Sequence, residues 1–218
     1  MSYQILRMPQ HVDGRANPEW IAARLGRLTA SVAGDMLATV AKGEAASRRN
    51  LRLRLVLERL TNQPQERVFV SPAMVEGTRR EDEARGQYEA LTGELVENTG
   101  FISHDLHMVG CSLDGCVFDG ERIAKIVELK NPEPAAHLAV IRTGQLSAAY
   151  MAQILHALWV TGADSCDWMS YHPAFPEGKR TKLITVKRDP VAIADYEAKA
   201  LAFLAEVDAE LLEIERVA

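Results

Sequence analysis

The chain has 218 residues, of which 47% are hydrophobic and 25% charged, and its 14 glycines and 9 prolines form no repeat. This composition excludes a disordered or fibrous protein, and the length predicts a single domain over residues 1–218. The net charge of −5 gives no overall basic excess for nucleic acid, and the absence of a long apolar run or a signal layout predicts a soluble cytoplasmic protein without a membrane partner.

The first part of the chain predicts helices. A short helix begins at Pro18, because proline suits a first helical turn. A second follows residues 29–31, where a hydroxyl group can cap the helix start. A third runs over about 45–60. A fourth runs over about 72–91 and ends before Gly93.

The second part alternates strands and helices. Strands are predicted over about 95–103, 107–111, 114–119 and 122–130, with glycines such as Gly100 and Gly110 as breaks. A helix over about 147–161, two strands over about 167–171 and 182–186, and an acidic helix complete the chain. This order predicts an α/β (α+β) fold in which a central mixed β-sheet is flanked by helices.

Charge is distributed unevenly. Residues 41–80 hold nine basic and four acidic side chains, whereas residues 195–218 hold two basic and seven acidic ones. Within the basic segment Arg48, Arg52 and Arg59 share one stripe of a helix. On charge alone, this stripe is either a DNA-contact face, or an ordinary solvated face or subunit contact.

Several other conspicuous side chains are expected to be structural. The three cysteines lack a CxxC pair and cannot form a four-cysteine zinc or iron–sulfur site, so small buried thiols are predicted. Trp20 and Trp159 are expected in the core rather than stacked on bases. Lys179 and Arg180 are expected at a solvated hairpin tip.

The most informative pattern is an aspartate followed by a Glu-x-Lys strand. Asp114 opens one predicted strand, and Glu128 and Lys130 lie two positions apart on the next, so both point to the same face. If the strands pair as a hairpin, two carboxylates and an ammonium group meet, which suits Mg²⁺ and an attacking water. An aspartate followed by Glu-x-Lys occurs by chance in many proteins. Here, however, apolar residues flank the Glu-x-Lys segment and predict an internal strand, where unpaired charges are costly.

Five further segments occur in order along most of the chain: 24–31 (RLGRLTAS), 77–85 (GTRREDEAR), 111–115 (CSLDG), 150–161 (YMAQILHALWVT) and 171–173 (YHP). Together they resemble the phage lambda exonuclease family, the alkaline exonucleases of the restriction-nuclease-like PD-(D/E)XK superfamily. The chain departs from the family pattern at Leu113, where the family has proline, and residues 41–72 show no clear match.

The resemblance implies roles for individual residues. The metal ligands would be Asp114, Glu128, the backbone carbonyl of Leu129 and Glu81, which together hold Mg²⁺, two ions in the family, with Mn²⁺ as a substitute. Lys130 would activate water, either as a base or as electrostatic support, and Gln153 would lie near the scissile phosphate. The pocket for a terminal 5′-phosphate would consist of Arg24, Ser31 and Ser112.

The implied activity is Mg²⁺-dependent digestion of one strand of duplex DNA in the 5′ to 3′ direction, leaving a 3′ overhang for phage-type homologous recombination. The resemblance further implies a homotrimeric ring, a single-strand annealing recombinase as partner, and a phage or prophage protein in a bacterial cytoplasm. The alternatives are a restriction-like or repair endonuclease of the same fold and a catalytically inactive DNA-binding module.

Overall fold

The computed structural model describes residues 3–13, 15–65 and 72–217. The helices are α1 (Pro18–Arg24), α2 (Ala33–Met36), α3 (Ala46–Thr61), α4 (Pro72–Thr92), α5 (Pro134–Thr143), α6 (Ala148–Thr161) and α7 (Pro190–Val217). The strands are β1 (Tyr3–Leu6), β2 (His11–Val12), β3 (Arg15–Ala16), β4 (Leu28–Thr29), β5 (Phe101–His104), β6 (Val109–Ser112), β7 (Gly115–Asp119), β8 (Arg122–Lys130), β9 (Ser165–Tyr171) and β10 (Thr181–Lys187). In these parts of the chain, no helix combines the length and apolarity that crossing a membrane requires.

Helices flank mixed sheets, as predicted. One four-stranded sheet has the order β1-β5-β6-β4 and the other β10-β9-β8-β7, and each contains one parallel pair, β4 with β6 and β8 with β9. The strands are therefore divided between two sheets instead of forming one, because the chain leaves the first sheet after Ser112 and enters the second at Gly115. Strands β2 and β3 form a separate hairpin.

Strand β8 separates two hydrophobic clusters because successive side chains point to opposite faces. The larger cluster packs α3, α6 and α7 against the sheets and includes Ile126 of β8. The smaller one joins Val127 and Leu129 to Tyr88 of α4. All three cysteines are free and buried, as predicted. Glu128 lies on the face of β8 that carries Ile126, so its side chain points toward α6.

The helices predicted from Pro18, over about 45–60, 72–91 and 147–161, and at the acidic C-terminal end are confirmed as α1, α3, α4, α6 and α7, whereas α5 was not predicted. Two local predictions are wrong. No hydroxyl cap forms at residues 29–31: Thr29 precedes a short 3₁₀ turn and makes no capping bond, and its Oγ1 instead lies 3.3 Å from Ser31 Oγ. Gly110 does not break a strand but lies inside β6, paired with Ser103. A Cβ at Gly110 would lie 2.4 Å from the Phe101 ring, so glycine is required by close packing.

Candidate active site

The β7–β8 hairpin brings the predicted acidic and basic groups together. Strands β7 and β8 are antiparallel with Gly115 opposite Val127, which places Asp114 beside the end of β8. The Leu129 N–H donates to Asp114 Oδ2 at 2.8 Å, and Lys130 Nζ lies 3.4 Å from the same oxygen. Lys130 also contacts Glu128 Oε1. The predicted constellation is therefore present as one cluster.

Glu128 is the most deeply buried member of this cluster, with 3% of its surface exposed. Burial and the neighbouring Asp114 carboxylate raise the pKa of Glu128 to about 7. Burial lowers the pKa of Lys130, but the two carboxylates outweigh it and raise that pKa above its ordinary value. The amide of Gln153, on α6, donates to Glu128 Oε1. The structure thus places Gln153 in direct contact with the acidic cluster.

Helix α4 brings Glu81 to the same region. Burial and the Asp114 carboxylate raise the pKa of Glu81, and Lys130 lies near enough to act in the opposite direction. Arg85, one turn further along α4, donates to the backbone carbonyl of Asp114 at 2.8 Å. This bond ties α4 to the start of β7, so the helix that carries Glu81 is fixed relative to Asp114.

The donor set fits a divalent cation of the Mg²⁺ type. Across the described ranges, no group of three or more His, Cys, Asp or Glu side chains is close enough to hold an ion. Mg²⁺ is usually held by one or two carboxylates, with water and substrate phosphate completing the shell, and Asp114 and Glu128 provide that pair. The Leu129 N–H bonds to Asp114, so the residue whose carbonyl was predicted as a further ligand lies beside that carboxylate.

Trp20 links two of the three residues predicted for a 5′-phosphate pocket, Arg24 and Ser112. The Arg24 guanidinium lies over the Trp20 ring, 4.2 Å from its centroid, and Trp20 Nε1 donates to Ser112 Oγ at 3.0 Å. Indole is only a donor, so the Ser112 hydroxyl hydrogen is left to donate elsewhere. The core position expected for Trp20 is therefore wrong, because the half-buried ring connects Arg24 to Ser112; Trp159 is buried as expected.

A groove connects the two groups of predicted residues. It has a volume of about 550 Å³ between α2 and α6, and both Ser31 and Gln153 line it. Small side chains such as Ala149 and Ala152 form much of its wall. The groove therefore extends from Ser31 to Gln153, the residue that contacts Glu128.

The basic stripe of α3 is paired within the chain. Arg48 makes two bonds of 2.8 Å to Glu206, Arg52 lies 3.1 Å from Glu210, and Arg59 bonds to an aspartate of the same helix α7. This pairing favours an intramolecular role for the three arginines over the DNA contact considered from sequence, because the acidic helix balances their charge. Three arginines of the basic segment are thus paired with acidic residues of the C-terminal helix.

Sequence reasoning missed two contributors to the site. Trp20 carries no charge and is followed by apolar residues in sequence, so only its spacing of four residues from Arg24 indicated a shared helix face. Arg85 closes the motif at residues 77–85, but the motif alone did not show that its partner is a backbone carbonyl. No sequence pattern reveals a partner of that kind.

Comparisons with known proteins identify the family to which the chain is related. A family model described as "YqaJ-like viral recombinase domain" matches residues 19–164, whereas a comparison with curated proteins gave no match. The crystal structure of an alkaline exonuclease (LHK-Exo) from Laribacter hongkongensis is 35% identical, with a TM-score of 0.81, over 92% of this chain and 97% of that chain. The structure of LHK-Exo in complex with dAMP gives the same values.

A phage related exonuclease from Haemophilus somnus 129PT is 12% identical with a TM-score of 0.63, over 86% of this chain and 96% of that chain, and shows a similarity of fold. The predicted restriction-nuclease-like fold is confirmed by the structural match to the alkaline exonuclease. Since the family model spans most of the chain and the structural relative covers nearly all of it, the chain belongs to the YqaJ-like viral recombinase family, the lambda exonuclease family predicted from its motifs.

Proposed function

We propose that the protein is a Mg²⁺-dependent exonuclease that digests one strand of duplex DNA from the 5′ end and leaves a 3′ single-stranded overhang for recombination. The observation that carries this proposal is the cluster of Asp114, Glu128 and Lys130 in contact with Gln153. Membership of a viral recombinase family and similarity to an alkaline exonuclease support DNA as the substrate.

Each residue of the cluster has a defined task in this proposal. Asp114, Glu128 and the Leu129 carbonyl hold the Mg²⁺ ions, Glu81 adds a carboxylate from α4, and Mn²⁺ fits the same oxygen donors. In this site Mg²⁺ would polarise the scissile phosphate and lower the pKa of an attacking water. Gln153 directs its amide toward Glu128 and fixes the orientation of that carboxylate.

Lys130 acts mainly through its charge. The neighbouring Glu128 and Asp114 raise the pKa of Lys130 in spite of burial, which favours the protonated amine in the metal-free site. A protonated amine cannot accept a proton from water, but it can orient the water and stabilise negative charge that develops on the phosphate. The proposed role of Lys130 is therefore electrostatic support, the second of the two roles considered from sequence.

The direction of digestion follows from a terminal phosphate pocket. Arg24, Ser31 and Ser112 provide a guanidinium and two hydroxyl donors, and Trp20 joins Arg24 to Ser112. A phosphomonoester end carries more charge than an internal diester, so a guanidinium beside hydroxyl groups favours it. Binding that end beside the groove containing Gln153 sets the polarity of cleavage from the 5′ terminus.

The assembly is proposed on the basis of family membership. A homotrimeric ring would enclose the duplex, and a single-strand annealing recombinase would receive the exposed 3′ strand. The support for both the ring and the partner is the family resemblance. The arginines of α3 give no support, because they are paired with α7.

A gel assay with blunt linear and closed circular DNA, with and without Mg²⁺, tests the proposal. An exonuclease degrades only the linear substrate and only with metal. Cleavage of the circle would instead identify an endonuclease, and binding of linear DNA without degradation would identify an inactive module. Labels at the 5′ and 3′ ends report the direction of nucleotide release.

A further inference from the structure

The turn between α1 and β4 is held from both sides by α3. The N–H of Gly26 donates to Glu58 Oε2 at 3.0 Å, and the carbonyl of the same residue accepts a bond of 2.9 Å from Arg59 Nε. Gly26 has φ +65°, and a Cβ there would lie 2.7 Å from Arg59 Cγ. Glycine is therefore required both by the backbone conformation and by the close approach of Arg59.

Glu58 is unusual because its charged side chain is buried in a contact with the backbone. Its side chain is 9% exposed, and burying a carboxylate is costly unless its oxygens are hydrogen-bonded. Its two oxygens accept from backbone N–H groups, one of Gly26 and one of Gln65 at 3.3 Å. Both carboxylate oxygens of Glu58 are therefore used to hold the backbone at Gly26 and Gln65.

The held turn lies between two residues of the proposed phosphate pocket. Arg24 ends α1 two residues before Gly26, and Ser31 follows β4 five residues after it. We propose that Glu58 and Arg59 are positioning residues that fix the Gly26 turn and so set the placement of Arg24 relative to Ser31 for recognition of a terminal phosphomonoester. This inference rests on the proposed 5′-directed exonuclease function.

The physical reason is the geometry of the ligand. A terminal phosphate is recognised by donors that converge on three oxygens, and the strength of charge-assisted bonds depends on that convergence. When either bond to Gly26, from Glu58 or from Arg59, is removed, the turn is free to rotate. The position of Arg24 relative to Ser31 then varies. The metal cluster is carried by β7, β8 and α6, so cleavage of an end that lacks the phosphate does not depend on this turn.

The test compares kcat/KM on matched 5′-phosphate and 5′-hydroxyl duplexes for wild type, Glu58→Ala, Arg59→Lys and Gly26→Ala. Arg59→Lys keeps the positive charge but removes the Nε donor. Asp208→Asn is the matched control, because it removes the ion-pair partner of Arg59 and leaves the bond to Gly26 intact. Thermal unfolding and circular dichroism identify variants that fold, and Arg59→Lys gives the result if Glu58→Ala does not fold.

We expect the ratio of the two rates to fall about tenfold in the three turn variants, which corresponds to losing about one charge-assisted hydrogen bond. The rate on 5′-hydroxyl ends should stay within about twofold of wild type, and Asp208→Asn should keep the wild-type ratio. An unchanged ratio in folded turn variants, or equal losses on both substrates, overturns the positioning role. A wild-type ratio near one would instead overturn the proposed 5′-phosphate function itself.

Discussion

Three charges determine the chemistry at the scale of single residues. Asp114 and Glu128 carry one negative charge each when ionised, and Lys130 contributes one positive charge in contact with both. Burial and repulsion from Asp114 raise the pKa of Glu128 to about 7, although the Lys130 charge acts in the opposite direction. A divalent cation relieves this repulsion and supplies the charge that phosphoryl chemistry needs.

Asp114→Ala, Glu128→Ala and Lys130→Ala should each reduce cleavage at least about a hundredfold, because each removes a group that acts on the metal or on the transition state. The variants should remain folded and bind duplex ends. Rates in saturating Mg²⁺ and end-binding titrations provide the measurement. Asp119→Ala, at the exposed tip of the same hairpin, is the control and should keep normal turnover. Near-normal cleavage by one of the three variants would remove that residue from the site.

Arg24→Ala should slow digestion of 5′-phosphorylated duplex by about tenfold or more and should affect 5′-hydroxyl duplex little, since only the first substrate offers the group that the guanidinium binds. Time courses on the two matched duplexes measure the effect. Lys187→Ala, a basic residue on β10 outside the pocket, serves as control. Release of nucleotides from the 3′ end by wild type would contradict the direction as well as the pocket.

At the scale of secondary-structure elements, the contact between α3 and α7 shows what sequence could and could not supply. Periodicity predicted both helices and the stripe of Arg48, Arg52 and Arg59, because local spacing defines a helix face. It could not identify the partner, because Arg48 and Glu206 are 158 residues apart in sequence. The N-terminal strand β1 was missed for the same reason: its pairing with β5 is a long-range contact.

Arg48→Ala should lower the free energy of unfolding by about 1 kcal/mol, because the side chain pairs with Glu206 and lies over the ring of Phe203. Duplex affinity should remain within about twofold of wild type. Urea unfolding and a DNA-binding titration test the two statements, and Glu206→Ala, which removes the same pair from the acidic side, should cost a comparable amount. A large loss of DNA affinity with normal stability would restore the DNA-contact interpretation.

A second element-scale prediction concerns pH. Buried His156 joins α6 to α7 and β6: its Nε2 donates to the Gly110 carbonyl and its Nδ1 accepts from Tyr196. Burial lowers its pKa from 6.5 to about 4. As pH falls below about 6.5, the unfolded chain binds the proton first, so stability is lost between about pH 6.5 and pH 4.

Between pH 7 and pH 5 this group should account for about 2 kcal/mol of lost unfolding free energy. His156→Gln, which does not titrate, should show a correspondingly smaller decrease over the same interval. Urea unfolding at both pH values for the two proteins isolates the contribution, because all other titrating groups are shared. Equal decreases would show that His156 is not the proton-linked group.

At the scale of the whole molecule, sequence reasoning was most successful where chemistry depends on short-range spacing. The Glu-x-Lys spacing placed Glu128 and Lys130 on one face, and the hairpin brought Asp114 to them as expected. The division of strands into two sheets and the role of Trp20 depend on which distant segments pack together. These features are set by tertiary contacts, which no local pattern encodes.

The proposed ring makes a prediction about assembly and turnover. Three chains of 24.1 kDa give about 72 kDa, so sedimentation equilibrium should report that mass, in agreement with closed threefold symmetry.

A ring that encloses the duplex cannot leave it sideways, so each binding event should be followed by many cleavage steps. Excess unlabelled duplex added after the reaction starts should therefore leave ongoing digestion of labelled duplex largely unaffected. The same competitor added beforehand should suppress it, which confirms that the competitor is effective. Sedimentation at the mass of one chain, or an immediate stop when competitor is added late, would contradict the enclosing trimer while leaving the metal site and the polarity of cleavage untouched.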